Sequence, residues 1–333
     1  MRPPEFWHHR NGRDAAPMLR TLLKPIAWIY GRMAAKRIKD TQSFDVGIPV
    51  ICVGNATLGG TGKTPVVSYL LQSLRRLQIE AHGLTRGYGG QEKGPIPVHQ
   101  NHTAKDVGDE PLLLARHAPI WVAAGRDDGA RAARSHGASV IVMDDGHQNP
   151  QLEKTLSLLV VDAEVGFGNG CIFPAGPLRE NLKACLERAD AVILMKPAPD
   201  YEIDDTLRAQ LKGQIVIPAY LAPKAKPPRG KLYAFAGIGR PNKFFDSLRR
   251  HGGEIVEEVP FADHYKYKDE DIENLFLLAS EYDAALITTE KDYVRLPKGY
   301  RKGVHVWPVN VVFEDELTLR RLLHPIIARA KPQ

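Results

Sequence analysis

The stretch "VGNATLGGTGKTP", residues 53–65, contains the residue types that hold a phosphate group. Glycines let a backbone turn tightly and bring its N–H groups to phosphate oxygens, a following lysine reaches the β- and γ-phosphates, and a hydroxyl ligates Mg²⁺. The usual pattern G-x-x-x-x-G-K-S/T has a glycine where this chain has Thr57, which is tolerated if its backbone is not left-handed. The residues predicted to bind the nucleotide are Thr57, Leu58, Gly59, Gly60, Thr61, Gly62, Lys63 and Thr64.

A pair of aspartates ends the apolar stretch "ASVIVMDDG", residues 138–146. A strand ending in Asp144 and Asp145 would put both carboxylates at the carboxyl edge of a sheet, where open α/β sheets bind ligands. The same letters also describe an ordinary turn, but beside a phosphate loop a magnesium role is favoured. We therefore predict a bound nucleotide with Mg²⁺, with Thr64, Asp144 and Asp145 as the metal ligands.

Transfer of a phosphoryl group to a hydroxyl also needs a group that orients the acceptor or takes its proton. "VGDEPLLLARHAP", residues 107–119, offers Asp109, although aspartate before Glu-Pro and an apolar run is also an ordinary helix N-cap. "FADHYKY", residues 261–267, offers His264, and a lone histidine has structural explanations too, including capping through Asp263. The pattern leaves both readings open at both positions.

The elements that would position these residues alternate along the chain. "GIPVICVGN" is typical of a buried strand, the Gly-rich loop follows it, and "VVSYLLQSLRRLQ" is typical of a helix. Further strand and helix patterns alternate to about residue 217, and a second set, ending in the strand pattern "VHVWPVNVVF", follows the Pro- and Lys-rich stretch 218–231, which is typical of a linker.

This alternation predicts an α/β fold: a P-loop NTPase-like, mostly parallel sheet flanked by helices, with a second, smaller α/β domain. The predicted domains are an N-terminal segment (1–40), the P-loop domain (41–222) and the smaller domain (223–333), whose last helix could pack on either domain.

Composition limits the class of protein. Hydrophobic residues are 43% and charged residues 25%, as in ordinary soluble globular proteins, and we find no apolar run near the ~18 residues that cross a bilayer. The three cysteines have no metal-like spacing, and the N-terminus lacks the features of a secretory signal. Of the net charge of +6, residues 1–39 carry +7, so the rest sums to −1 and a nucleic-acid-binding body is not expected.

The basic segment contains "APMLRTLLKPIAWIYGRMAAKRIK", whose apolar residues recur at helical spacing. Pro25 is expected to kink this helix or divide it. Basic residues beside the apolar stripe, with Trp28 and Tyr30, suit a helix that lies in the headgroup layer of an anionic membrane. The alternative is an ordinary helix packed on the protein with a solvated basic face.

Several P-loop classes fit less well than a small-molecule kinase. The base-recognition motif N-K-x-D of GTP switches is absent, and Gly59 and Gly60 occupy the place where partition-type ATPases carry an extra lysine. Two alternatives stay open: a membrane-associated P-loop NTPase switch or chaperone that acts on a protein partner, and a cytosolic kinase for a soluble sugar or nucleoside.

Taken together and in this order, these pieces resemble the tetraacyldisaccharide 4′-kinase family of Gram-negative bacteria over nearly the whole chain. Besides the motifs above, the resemblance rests on "PIAWIYG", "LTRGYGG", "FPAGPLRE" and "TTEKDYVRL". It implies an ATP- and Mg²⁺-dependent kinase that phosphorylates the 4′-hydroxyl of a tetraacylated glucosamine disaccharide 1-phosphate in lipid A biosynthesis. It also implies a peripheral protein at the cytoplasmic face of the inner membrane, with the lipid disaccharide and the anionic membrane surface as partners, and no nucleic acid or obligate protein partner.

Position by position, the resemblance implies catalytic roles for Asp109, His264, Lys63 and Glu180, with His264 supporting Asp109 across a domain cleft. A lipid substrate also favours the membrane reading of the N-terminal helix. Two departures from the family pattern concern substrate contacts: Asn149 stands where histidine is common, and Tyr265 follows His264 where a second histidine is common.

Overall fold

The computed structural model describes residues 4–10 and 12–330, so the predicted segments 1–40 and 223–333 each include residues outside this range. In chain order the strands are β1 (Val50–Gly54), β2 (Ala81–Thr85), β3 (Ile96–Pro97), β4 (Ile120–Val122), β5 (Val140–Asp144), β6 (Leu156–Asp162), β7 (Ala191–Lys196), β8 (Val216–Pro223), β9 (Lys231–Ala236), β10 (Glu254–Pro260), β11 (Ala285–Thr288), β12 (His305–Val306) and β13 (Val309–Phe313). The α-helices are α1 (Pro17–Asp40), α2 (Lys63–Arg76), α3 (Ala104–Val107), α4 (Asp109–Leu114), α5 (Arg126–Ser135), α6 (Leu182–Glu187), α7 (Asp205–Gln210), α8 (Pro241–Arg250), α9 (Asp269–Glu281), α10 (Glu290–Tyr293) and α11 (Glu316–Ala330).

The larger sheet has the strand order β13-β8-β7-β6-β1-β5-β2-β4-β3, parallel except for the outermost strands β13 and β3. Every residue of β1 is buried because helices cover both faces of the sheet, which explains its continuous apolar sequence. In the register of the sheet, Val53 of β1 lies opposite Asp144 of β5. The loops that follow β1 and β5 therefore leave the same edge side by side.

The smaller sheet, β10-β9-β11-β12, is entirely parallel and has its own apolar core, centred on Phe235 and Ile272. The stretch "VHVWPVNVVF", which was expected to form one strand, is divided between the two sheets. Strand β12 belongs to the smaller sheet, and β13 pairs antiparallel with β8 of the larger sheet. Trp307 and Pro308 separate the two strands, and proline cannot donate to a strand ladder.

The prediction of a linker over residues 218–231 is wrong for the first half of this stretch, because β8 continues to Pro223 and pairs with both β7 and β13. Pro218 lacks an N–H but still accepts a hydrogen bond from Glu314 N through its carbonyl, so proline content alone did not mark a loop here. The last helix, α11, packs on the larger sheet, where Leu319, Leu323 and Ile326 join the core formed by α2. The division at residues 222 and 223 stays a prediction, with β13 and α11 lying on the larger sheet.

The N-terminal helix α1 is continuous from Pro17 through Pro25 to Asp40, so Pro25 does not divide it, and a kink there stays a prediction. Ala27 is its only residue with a buried side chain, and the rest of the helix is half-buried or exposed. Among the described residues, none of the helices combines the length and apolar character needed to span a bilayer.

Candidate active site

The phosphate loop joins β1 to the first turn of α2. Gly59 and Gly62 have φ of 124° and 87°, in the left-handed region that only glycine adopts readily, whereas Thr57 is outside that region, as its tolerance requires. Helix α2 begins at Lys63 with Gly62 as its N-cap and no side-chain cap. Its first N–H groups are therefore open to an anion, and the helix dipole favours one there.

A second segment braces the phosphate loop from outside. Thr57 forms an antiparallel bridge with Leu178, Leu58 N donates to Pro177 O (2.8 Å), and Arg179 N donates to Ala56 O (2.9 Å). From inside, the Asn55 amide donates to Thr57 O at 2.7 Å. The shape of the loop thus depends on residues more than a hundred positions away in the chain.

The two aspartates among the predicted metal ligands differ sharply in their surroundings. Asp145 lies 3.3 Å from Lys63 Nζ and accepts a hydrogen bond from Arg179 (3.0 Å). Burial alone would raise the pKa of Asp145, but these two positive charges outweigh it and lower the pKa to about 2. Asp145 is thus an anion at any physiological pH.

Asp144 is 1% exposed, and neither of its carboxylate oxygens makes a hydrogen bond to a described residue. Burial, followed by the nearby charge of Glu110, raises its pKa to about 7 despite the opposing charges of Lys63 and Arg126. Buried polar atoms normally have partners, and among the described residues this carboxylate at the edge of the phosphate site has none.

Asp109 begins α4 and is 4% exposed. Arg295 donates to its Oδ2 through Nε (2.7 Å) and through a second guanidinium nitrogen, and His264 Nδ1 lies 3.2 Å from the same oxygen. Burial would raise the pKa of Asp109, but the hydrogen bond with His264 and the charges of Lys291 and Arg295 together lower it well below its usual range. The expected pairing of Asp109 and His264 is present, and Arg295 contacts both residues.

Two non-glycine residues of the site have left-handed backbones: Asp145 has φ 51° and His264 has φ 56°. Such conformations are uncommon for residues other than glycine and are found where the surrounding structure enforces them, often at functional sites. Backbone bonding fixes His264, whose N–H donates to Gly237 O (3.1 Å). The left-handed turn directs its ring toward Asp109.

Glu180 is 4% exposed, and both of its oxygens accept hydrogen bonds from Arg188 (2.6 Å each). Gln148 joins it to the phosphate loop by donating to Glu180 (3.1 Å) and to Asn55 O (2.9 Å). The carboxylate is therefore bonded to protein groups on both oxygens.

Glu180 also lies near His147 and Cys185, with potential ligand atoms within 4.8 Å of one another. Both nitrogens of His147 are already bonded, however, to Ser157 Oγ and Cys185 O at 2.9 Å each. Burial lowers the pKa of His147 to about 4, so the neutral ring donates to the carbonyl and accepts from the serine. This cluster is a hydrogen-bonded support and leaves His147 no free nitrogen for a metal.

The structure thus places the sequence-predicted residues in two groups. The phosphate loop, Asp144, Asp145 and Glu180 form one, and Asp109 with His264 forms the other; the two are close enough for Glu110 to affect the pKa of Asp144. Sequence reasoning gave no role to Arg295, Lys291, Arg126 or Arg188. The only signal for the first two was the charged stretch "TTEKDYVRL" directly after β11.

A Gly-rich loop between a buried strand and a helix, with its lysine beside a carboxylate pair at the next strand end, defines a nucleotide phosphate site. Asp109, at the start of α4 and bonded by Arg295 and His264, adds a buried carboxylate of the kind that phosphotransferases use on the acceptor side. Fold and site together therefore define a P-loop phosphotransferase.

Comparisons with known proteins narrow this class. The family described as tetraacyldisaccharide-1-P 4′-kinase matches residues 19–328. A tetraacyldisaccharide 4′-kinase from Caulobacter sp. (strain K31) is 47% identical, covering 97% of this chain and 98% of the relative. Another from Rhodospirillum rubrum is 45% identical with both chains fully covered. The structure resembles LpxK from Aquifex aeolicus, solved in complex with ATP, with a TM-score of 0.76 at 26% identity over 93% of this chain and 99% of that one.

The chain belongs to the tetraacyldisaccharide-1-P 4′-kinase family. The predicted family, the predicted α/β fold class and the predicted phosphotransferase activity on an alcohol are thereby confirmed. The NTPase switch or chaperone, kept open from the sequence, is not favoured.

Proposed function

We propose that the chain transfers the γ-phosphate of ATP to the 4′-hydroxyl of the tetraacylated glucosamine disaccharide 1-phosphate, and that the residues described above perform the transfer. The observation that carries this proposal is the meeting, at one sheet edge, of an uncapped helix N-terminus, Lys63 and the bare carboxylate of Asp144. Lys63 lies between the loop and Asp145, where it would neutralise charge on the β- and γ-phosphates.

The residues present suit Mg²⁺. It prefers carboxylate and hydroxyl oxygens, and both buried oxygens of Asp144 lack hydrogen bonds within the described residues, while Oδ1 of Asp145 has its ion pair with Lys63. Asp144, Asp145 and Thr64 would hold the ion. When bound, Mg²⁺ supplies positive charge to the phosphate oxygens.

Asp109 has the acceptor-side role in this proposal. With its pKa held far below neutrality it is a weak base, so its main contribution is to orient the 4′-hydroxyl by accepting its hydrogen bond, and it takes the proton late in the transfer. His264 and Arg295 hold the carboxylate in place and keep it ionised.

Glu180 was predicted as catalytic from the family resemblance, and its geometry supports an indirect role. Since Arg188 occupies both oxygens, we propose that Glu180 is a positioning residue, which holds Gln148 against the phosphate loop through the Asn55 carbonyl. The neighbouring Arg179 contacts the phosphate site directly, through Asp145 and Thr57 O.

Docking to the cytoplasmic face of the bacterial inner membrane is the proposed role of α1. Met18, Leu22 and Met33 are 84%, 74% and 67% exposed, an apolar surface that water disfavours. Basic residues beside them suit anionic headgroups, each contributing about 1 kcal/mol near such a surface. The proposed partners are the lipid disaccharide and this membrane surface, with no nucleic acid and no obligate protein partner.

Acceptor preference tests the proposal. Initial rates are measured with labelled ATP and Mg²⁺ on the tetraacylated disaccharide 1-phosphate in anionic mixed micelles, and on the same disaccharide after deacylation. We expect the acylated acceptor to be strongly preferred because docking delivers the enzyme to it. Equal use of both, independent of the micelle surface, would instead favour a kinase for soluble sugars.

A further inference from the structure

The N-terminal residues contact the segment that braces the phosphate loop. The 171–180 loop provides that brace through Pro177, Leu178 and Arg179, as described above. The opposite side of the same loop packs against residues 4–10 and α1. These contacts lie away from the phosphate loop itself.

Trp7 is the principal contact on this side. It is 7% exposed, its Nε1–H donates to Pro174 O (3.1 Å), and its ring meets the edge of Phe173 at a centroid distance of 6.0 Å. Asn169 adds a second connection, since its amide donates both to Phe6 O (3.2 Å) and to Ala175 O (2.9 Å). A buried tryptophan with its N–H bonded is an anchoring group.

Helix α1 contacts the loop on its other flank. The ring of Tyr30 packs edge-on against Phe173 with centroids 5.4 Å apart. Gly31 lies so close to Ile172 that a Cβ at this position would be 2.8 Å from Ile172 Cδ1. Phe173 is therefore held between Trp7 and Tyr30, two aromatic side chains of the N-terminal segment.

The connection from these contacts to the phosphate loop is short and tightly packed. Ala175 and Leu178 are 0% and 1% exposed, so the loop cannot shift at one side without moving at the other. Leu178 bonds Cys171 and Phe173 within the loop and pairs with Thr57 across it. Arg179 continues from there to Thr57 O and Asp145.

We propose that the N-terminal segment positions the phosphate loop, through Trp7, Phe173 and the 171–180 loop, in addition to the docking role proposed above. Trp7 is in this account a positioning residue for ATP that touches no substrate. The proposal depends on contacts within the protein and stands whether or not α1 binds a membrane.

The experiment compares two tryptophan-to-alanine variants of the same segment, without lipid. Trp7→Ala should raise the Kd for MgATP about tenfold, since it removes a hydrogen bond and an aromatic contact that hold the loop. It should also speed hydrogen exchange at the Leu58 and Arg179 amides, whose bonds join the two loops, without speeding exchange in α5. Trp28→Ala is the matched control, because Trp28 is 61% exposed and its ring lies under Arg32.

Trp7→Phe is a milder variant, which can be measured even if Trp7→Ala fails to fold. It keeps an aromatic ring against Phe173 and loses only the hydrogen bond to Pro174 O, so the Kd for MgATP and the exchange rates should rise by a smaller factor. Wild-type Kd and wild-type exchange in the folded Trp7 variants would overturn the proposal, and so would an equal effect of Trp28→Ala. Vesicle binding of Trp28→Ala is measured separately: normal binding there would weaken the docking role and leave the positioning role intact.

Discussion

Replacement of Asp109 by asparagine tests the acceptor-side assignment. The amide keeps the shape of the carboxylate but cannot take a proton and accepts a hydrogen bond more weakly. Loss of a group that orients and deprotonates the acceptor should lower kcat by ~10²–10⁴, which is ~3–5 kcal/mol of barrier. ATP binding should persist, because the phosphate loop does not contact Asp109 in the hydrogen bonds and ion pairs found among the described residues.

The same change also affects stability. Arg295 is 5% exposed and would lose the negative charge of the group to which two of its nitrogens donate, and breaking a buried pair destabilises by ~3–5 kcal/mol. Asp292 stays 3.0 Å from Arg295, so the lower end of that range is expected. A fall in activity alone could therefore reflect misfolding as readily as lost chemistry.

A double-mutant cycle with Arg295→Met separates the two effects. In that background Asp109→Asn leaves no unpaired guanidinium, so its stability cost, measured by urea unfolding, should be small. The fall in kcat, measured at saturating ATP and lipid, should remain at ~10²-fold or more. If Arg295→Met alone keeps most of the wild-type kcat and Asp109→Asn does not lower kcat further beside it, then Asp109 serves only to neutralise Arg295 and the acceptor-side role is wrong.

Three further predictions concern other parts of the account. Asp144→Asn should raise the Tm of the metal-free protein at pH 8, because burial raises the pKa of Asp144 to about 7 and the buried charge is destabilising above that pH. Mg²⁺ should raise the Tm of the wild type but not that of the variant. An equal rise in both would remove Asp144 from the metal site. Burial keeps His147 neutral in the folded protein down to about pH 4, whereas the unfolded chain takes up a proton below about pH 6.5. As the pH falls from 6.5 to 4, the free energy of unfolding of the wild type should therefore fall by about 3 kcal/mol more than that of His147→Gln. Parallel pH dependences of the two free energies, measured by urea unfolding, would contradict this. Leu22→Ser should lower the affinity for anionic vesicles, measured by cosedimentation, about tenfold. Leu317, which is 67% exposed on α11, is the control, and Leu317→Ser should leave this affinity unchanged. Equal affinities of the two variants would refute docking through α1.

The phosphate site was predictable because its signals are local. A buried strand, glycines in the left-handed region and a lysine at a helix start are adjacent in sequence, and the parallel sheet then brings Asp144 beside them. Strand alternation likewise predicted the fold class, since buried parallel strands have continuous apolar sequences.

Other features depend on distant pairings that no local pattern contains. Arg295 reaches Asp109 across 186 positions, and its own surroundings in the sequence look like an ordinary charged helix. The pairing of Thr57 with Leu178 and the return of β13 to the larger sheet are of the same kind. In each case tertiary packing selected one partner among several that the sequence allowed.

The measurement that tests the central claim most directly is the fate of the γ-phosphate. The protein is incubated with γ-labelled ATP, Mg²⁺ and the tetraacylated disaccharide 1-phosphate, and the position of the label in the lipid is determined by mass spectrometry. We expect one labelled phosphate at the 4′-position, with little or none from Lys63→Ala, because the proposed role of Lys63 is to neutralise the transferring phosphate. Label released only as free phosphate, or placed at another hydroxyl, would contradict it.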